Sequence, residues 1–135
     1  MSRKVARLEL FKIVFESEMN GVTPDTILEN FLNRDEVILS KNDKEFVEKF
    51  VRGISENNVE LDRIIEENMV GWEIDRIGSV EHALLKSAVY ELTFEDTGLE
   101  IVVNEVVEIA KIYGDEKSFE FINGVLSNVI NKNKK

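Results

Sequence analysis

The stretch Ser79 to Phe94, SVEHALLKSAVYELTF, constrains this chain most, because it reads as a helix that is apolar on most of its circumference. At 3.6 residues per turn, Val80, Leu84 and Ala88 share one face, Leu85, Ala88 and Leu92 the next, and Ala83, Tyr90 and Phe94 lie between them. Only a narrow polar strip is left, around Glu81, Lys86 and Glu91. A surface helix carries one apolar stripe, so a helix apolar nearly all round is one that other helices enclose. It is shorter than the ~20 residues needed to span a bilayer, and it contains charges. The stretch therefore reads as the core helix of an all-helical domain, with Ser79 as its N-cap.

The remaining segments repeat a helical period. Arg3 to Met19 places Leu8, Phe11, Phe15 and Met19 at three- and four-residue steps, with Val14 beside them, and Asn20-Gly21 ends it. Thr23-Pro24 opens the next helix, with Thr as N-cap and Pro where no N–H is needed, and Ile27, Leu28, Phe31 and Leu32 form its stripe. Arg34 to Leu39 reads as a loop. Ser40 and Asp43 resemble a capping box ahead of Phe46, Val47, Phe50, Val51 and Ile54. Val59 to Met69 continues through Leu61, Ile64 and Ile65. In the following WEIDRIG segment, Trp72 and Ile77 read as core anchors. No stretch alternates with period two, so no strand is expected.

The last third holds two helices. Ile101 to Tyr113 turns Val103, Val106, Ala110 and Tyr113 inward and stops at Gly114, read as a left-handed C-cap. Ser118 is expected to cap the final helix, whose Phe119, Ile122, Val125, Leu126 and Val129 face inward. Asn123 falls at the edge of that face, where an amide must be bonded, and Asn104 and Glu105 are the expected partners. Gly124 costs about 1 kcal/mol against alanine inside a helix, which points to a close backbone approach.

Composition bounds the function classes. A chain of 135 residues forms one domain, residues 1–135, with a core of its own. It has no cysteine, hence no disulfide framework or thiolate metal site. No signal peptide is visible, so a cytoplasmic location is the default. The net charge of -10 argues against a general nucleic-acid binder. Charge placement says more. Residues 1–8 hold Arg3, Lys4 and Arg7 without an acid, and residues 131–135, read as a flexible tail, hold Lys132, Lys134 and Lys135 without one. The other 11 basic and 27 acidic side chains leave -16 on the body between them. Arg3 and Arg7, four apart, project from one helix face beside Lys4. A basic cluster there opposes the helix dipole, a cost that points to an anion contact such as an RNA backbone. His82 is the single histidine and has no cysteine or second histidine to make a metal or catalytic site. Glu66, Glu67, Glu105 and Glu108 read as solvated or capping residues.

Several motifs resemble one family in order and spacing. They are Asn104-Glu105-Val106-Val107-Glu108-Ile109-Ala110-Lys111, then Tyr113-Gly114, then Phe121-Ile122-Asn123-Gly124-Val125-Leu126. The first and last are similar to the N-E-A-hydrophobic-E-L-A-K and F-V-N-G-V-L runs of the bacterial transcription antitermination factor NusB family. Trp72 to Ile77 resembles its W-x-hydrophobic-x-R-hydrophobic segment. Val80 to Leu92 resembles its V-E-R-x-L-L-R-x-A-x-Y-E-L helix, and Ala6 with Leu10 to Phe15 its A-x-x-L-x-x-L-Y-Q pattern. The resemblance covers about the whole chain. Phe15 replaces a usual Tyr, Lys117 stands where an acidic or polar residue is common, and Ser127 where Asp is frequent.

The resemblance implies an all-α fold of about seven helices in two packed bundles around a central buried helix, without enzymatic activity or cofactor. It implies single-stranded boxA RNA and the small-subunit ribosomal protein NusE as partners, within the RNA polymerase antitermination complex that promotes ribosomal RNA transcription. Carried over by position, Arg3, Lys4, Arg7, Phe15 and Lys86 are the expected RNA contacts. Lys117, Phe119 and Phe121 fall at the partner-protein surface, and Trp72, Asn104, Glu105, Asn123 and Gly124 are structural. Two alternatives stand beside this reading. One is a helical adaptor related to the N-terminal region of ribosomal RNA cytosine methyltransferases, although 135 residues leave no room for their catalytic domain. The other is a homodimer that hides the RNA surface. No membrane association is expected.

Overall fold

The computed structural model describes residues 3–32, 39–69, 77–95 and 97–133. Among these are seven helices and no strand: α1 (Lys4–Asn20), α2 (Pro24–Leu32), α3 (Lys41–Glu56), α4 (Asn58–Glu67), α5 (Ser79–Phe94), α6 (Leu99–Tyr113) and α7 (Glu116–Asn133). Trp72 and its neighbours up to Arg76 lie outside the described residues, as do Lys134 and Lys135. Ile77 packs half-buried against the core. Residues 131–133, expected in a flexible tail, continue α7.

The expected centre is where the structure has it. Every residue of α5 from Ala83 to Glu91 is buried, and the helix packs against α1, α3, α4, α6 and α7. Helices α1, α2 and α3 pack on one another as one bundle, and α4 to α7 gather around α5 as the second. Leu85 and Val89 of α5, Ile13 and Val14 of α1, Leu61 of α4 and Leu126 of α7 meet in a core without solvent access. The polar strip expected on α5 is not solvated, however. Lys86 and Glu91 are as buried as their apolar neighbours, because α1 covers them.

Helix ends follow local chemistry, with three corrections. Gly21 ends α1 at φ 65°, where only glycine is unstrained, and Val22 N–H reaches back to Ser17 O at 3.1 Å. Ser40 caps α3 by accepting the Asp43 N–H at 3.1 Å. At α5 the cap position belongs to Gly78, and Ser79 is already helical. At α7 it is Asp115 that accepts the Ser118 N–H, at 2.9 Å, while the Ser118 hydroxyl turns to Glu81 and Asp115. Gly114 is extended (φ -110°, ψ -168°) and not left-handed.

Stripe positions shift where a helix is covered on two sides. In α1 the buried residues are Ala6, Arg7, Leu10, Phe11, Ile13, Val14 and Ser17, since α2 and α3 cover one side and α5 the other. Met19, expected inward, is 63% exposed. In α6, Val102 and Ile109 are buried, whereas Tyr113 is partly exposed with its ring 5.1 Å from Phe11. Asn123 is exposed and bonds neither Asn104 nor Glu105 among the described residues. The amide that joins two segments is Asn128, which donates to Asn68 O at 3.0 Å. Gly124 has no neighbouring backbone either, since a Cβ there meets nothing within 4 Å. The close approach is at Gly53, where a Cβ collides with the Tyr90 ring and hydroxyl.

These two glycines therefore respond oppositely to alanine. Gly53→Ala displaces Tyr90 and costs about 1–3 kcal/mol by overpacking. Gly124→Ala removes backbone entropy at an open helical position and gains up to about 1 kcal/mol. Urea denaturation of the two variants measures both signs.

Candidate nucleic-acid and partner interface

The N-terminal basic residues divide into two kinds. Arg3 precedes α1, and its Nη1 donates to Asp43 Oδ1 at 2.8 Å and to Asn42 O at 3.1 Å, both in the first turn of α3. Its guanidinium lies 4.9 Å from the Phe46 ring centre, a cation–π contact, and the side chain stays 40% exposed. Lys4 is exposed and makes no ion pair among the described residues. Arg7 is different. Its side chain is 9% exposed and forks onto Glu91 of α5, with Nε to Oε1 at 3.1 Å and Nη2 to Oε2 at 2.6 Å. Glu105 of α6 adds a carboxylate 4.0 Å from Nη1. A bidentate guanidinium–carboxylate pair held this deep is a structural anchor. Arg7, expected at the RNA surface, is thus paired inside the fold, although it also lines the groove beside Arg3.

Lys86, also expected at the RNA surface, is likewise paired inside the fold. Its Nζ donates to Glu18 Oε1 at 2.9 Å and lies 3.7 Å from Asp62 Oδ1, with the side chain 7% exposed. His82, one turn earlier on α5, sits between the same acids, with Nδ1 3.0 Å from Glu18 Oε2 and Nε2 2.7 Å from Asp62 Oδ1. Two cations and two carboxylates thus join α1, α4 and α5. Burial alone pushes the imidazole pKa down, yet hydrogen bonds to Asp62 and Glu18, with their charges, lift it to about 9. Burial also raises the Glu18 carboxyl, and bonds from His82 and Lys86 outweigh it and bring it to about 2. Phe15, also expected at the RNA surface, is half-buried, with its ring 5.8 Å from Phe11 and packed on the core. Asp43, Phe46, Glu91 and Glu18 are the site residues that sequence reasoning missed; the distant ones gave no local signal.

A groove of about 640 Å³ opens beside Arg3, lined among others by Phe46, Lys49, Glu95, Ile101 and Glu105. Lys49 is tied to Glu95 at 3.0 Å. At the other end of α5, Lys117 and Phe121 line a smaller pocket with Ile77, Gly78, Glu81, Asp115 and Ser118. The structure thus brings together two of the three residues expected at the partner surface. Phe119 lies outside that pocket, with Lys111 Nζ 5.8 Å from its ring. Among the described residues no helix is long and apolar enough to cross a membrane.

Comparison with known proteins gives these surfaces a context. A model of the NusB family matches residues 4–131. The chain belongs to the NusB family. It is 41% identical to the transcription antitermination protein NusB of Fusobacterium nucleatum subsp. nucleatum, across 98% of this chain and 90% of that protein. T. maritima NusB matches with a TM-score of 0.87 and 34% identity, over 98% of this chain and 92% of the other. A crystal structure of the antitermination factors NusB and NusE in complex with dsRNA holds a chain that matches with a TM-score of 0.86 and 31% identity, over 96% of each. The NusB family is one of antitermination factors and not of enzymes.

Two outcomes follow from the buried ion pairs. Arg7→Ala leaves Glu91 buried and unpaired and costs about 3–5 kcal/mol, whereas Arg3→Ala removes a guanidinium side chain that is 40% exposed from the buried Asp43 carboxylate and costs less, about 1–3 kcal/mol, by urea denaturation. His82 carries a raised pKa in the fold, so its contribution is complete below its ordinary 6.5 and is lost as pH rises through about 9. Glu18 acts oppositely: its contribution is complete above 4.5 and is lost as pH falls through about 2. Thermal melts across pH 5–10 are expected to show the alkaline decline in the wild type, and His82→Gln to lower stability at pH 6 and flatten that decline.

Proposed function

We propose that this NusB-family chain binds boxA-type single-stranded RNA together with the small-subunit ribosomal protein NusE, and so helps RNA polymerase read through terminators in ribosomal RNA operons. The observation that supports it most is the relative solved with NusE and dsRNA, whose chain matches this one along 96% of its length. Arg3 and Lys4 supply the exposed cations for RNA phosphates, and the pocket around Lys117 and Phe121 supplies the protein-binding face. Arg7 and Lys86 act indirectly, by fixing α1 on α5. Phosphate contacts set register, and sequence choice comes from unstacked bases meeting side chains. The protein acts in the cytoplasm, as part of the polymerase antitermination complex.

Self-association is the second reading, favoured by Ile101, Ile112 and Tyr113, which expose large apolar side chains on α6. A monomeric mass at micromolar concentration in light scattering removes it. The leading reading is tested by titrating boxA-like RNA, a scrambled control and a duplex form, each with and without NusE. Preference for boxA that strengthens with NusE, and about ten-fold weaker binding by the Arg3→Ala/Lys4→Ala variant, are the expected results. No preference for boxA with NusE present sinks the reading.

A further inference from the structure

Arg3 does not stand alone at its end of the molecule. Its guanidinium reaches the first turn of α3, where Asp43 and the Asn42 carbonyl hold it. Lys41 and Lys44 flank Asp43 on that turn. Both are exposed, and neither side chain makes an ion pair or hydrogen bond among the described residues. Three residues apart on a helix, they are neighbours, with Cβ atoms about 5–6 Å from each other. Asp43 does not cancel them, because its carboxylate is 10% exposed and already bonded to Arg3. Glu45 is an exposed acid on the same turn, and Glu95 and Glu105 line the groove beside Arg3, where Glu95 holds Lys49 and Glu105 lies 4.0 Å from Arg7. Elsewhere the described cations are mostly committed: Lys12 to Glu9, Lys49 to Glu95, and Arg63 to Glu60 and Glu67. A phosphate that meets a committed cation must displace its carboxylate. Lys4, Lys41 and Lys44 pose no such cost, and Arg3 is held through Nη1 alone and keeps 40% of its side chain exposed, so a phosphate can reach the rest of its guanidinium without displacing Asp43.

We propose that the RNA surface of this protein extends from the start of α1 onto the first turn of α3, with Lys41 and Lys44 as further phosphate contacts beside Arg3 and Lys4. The inference rests on the RNA-binding reading above. It also accounts for how a chain with a thin basic N-terminal segment holds a polyanion: the four cations come from two helices brought together by the Arg3–Asp43 pair. Being contacts to the backbone, the two lysines contribute affinity and register without choosing bases.

Salt dependence measures the count. Each phosphate contact to a single strand contributes about -0.7 to the log–log salt slope, so four contacts give about -3 and two give about -1.4. The experiment titrates boxA-like and scrambled RNA, with NusE present, against the wild type, Lys41→Gln/Lys44→Gln and the control Arg63→Gln on α4. The double variant is expected to lose about 1.4 of slope and to bind both RNAs about ten-fold more weakly near 0.15 M salt, with the boxA-to-scrambled ratio unchanged. Arg63→Gln is expected to keep the wild-type slope. All three are exposed positions, and circular dichroism checks their folds. If the wild type binds boxA and the double variant keeps its slope and affinity, the extension onto α3 is overturned while the RNA-binding reading stands. If the wild type binds neither RNA, that reading falls and the extension with it.

Discussion

The placement of α1 on α5 depends on charges that the core encloses. A helix covered on all sides leaves no room for solvated side chains, yet α5 carries Lys86 and Glu91 in its buried stretch. Removing an ion from water costs several kcal/mol, and a buried pair recovers this only with close geometry and satisfied hydrogen bonds. Here α1 supplies both partners. Arg7 forks onto Glu91, and eleven residues further along, about three turns, Glu18 receives Lys86 and His82. Two charged anchors of opposite polarity at separated heights fix α1 against sliding and rotation. Apolar contact alone tolerates small repacking, whereas a misplaced charge pair does not.

That constraint explains which parts of the molecule were legible in its residues. The central position of α5 could be read directly, because a helix buried all round must be apolar nearly all round. The fate of its polar strip could not, since Glu91 and Lys86 look the same on a wet face as under α1. Arg3 and Arg7 make the point sharply. They are the same residue type one turn apart, and what separates them is Glu91, 84 positions away in the chain. Shorter-range failures have a different cause. Ser118 and Asp115 both suit a helix start, and only the backbone path selects Asp115. Asn123 and Asn128 are both amides on α7, and the segment holding Asn68 decides which is bonded. The motifs, by contrast, pointed to the family without requiring any of these contacts.

The same division resolves an apparent conflict between charge and function. A net charge of -10 repels RNA at long range, but exposed charges separated by more than about 8–10 Å are largely screened at physiological salt. What a phosphate meets at contact is the local set of uncommitted side chains. Many acids lie elsewhere or are occupied: Glu60 and Glu67 hold Arg63 on α4, and Glu95 holds Lys49. The acidic body then disfavours non-specific binding along nucleic acid while leaving one basic end open, a form of discrimination by repulsion.

How RNA and protein partner cooperate in the proposed function also follows from α5. One end of that helix region holds Arg7 and so the start of α1, while Glu81 in its first turn bonds Ser118 beside the Lys117–Phe121 pocket. A coupling that works by switching requires an element with two arrangements that both ligands bias. A helix buried over nine residues and pinned by ion pairs at both heights is poorly suited to that role. It is suited to holding two surfaces at a fixed separation. A partner docked on the second surface can then present its own RNA-contacting groups to a strand already held on the first, and the second contact becomes intramolecular at a high effective concentration. Mutual strengthening of this kind requires no change of shape in α5, only that its anchors do not give.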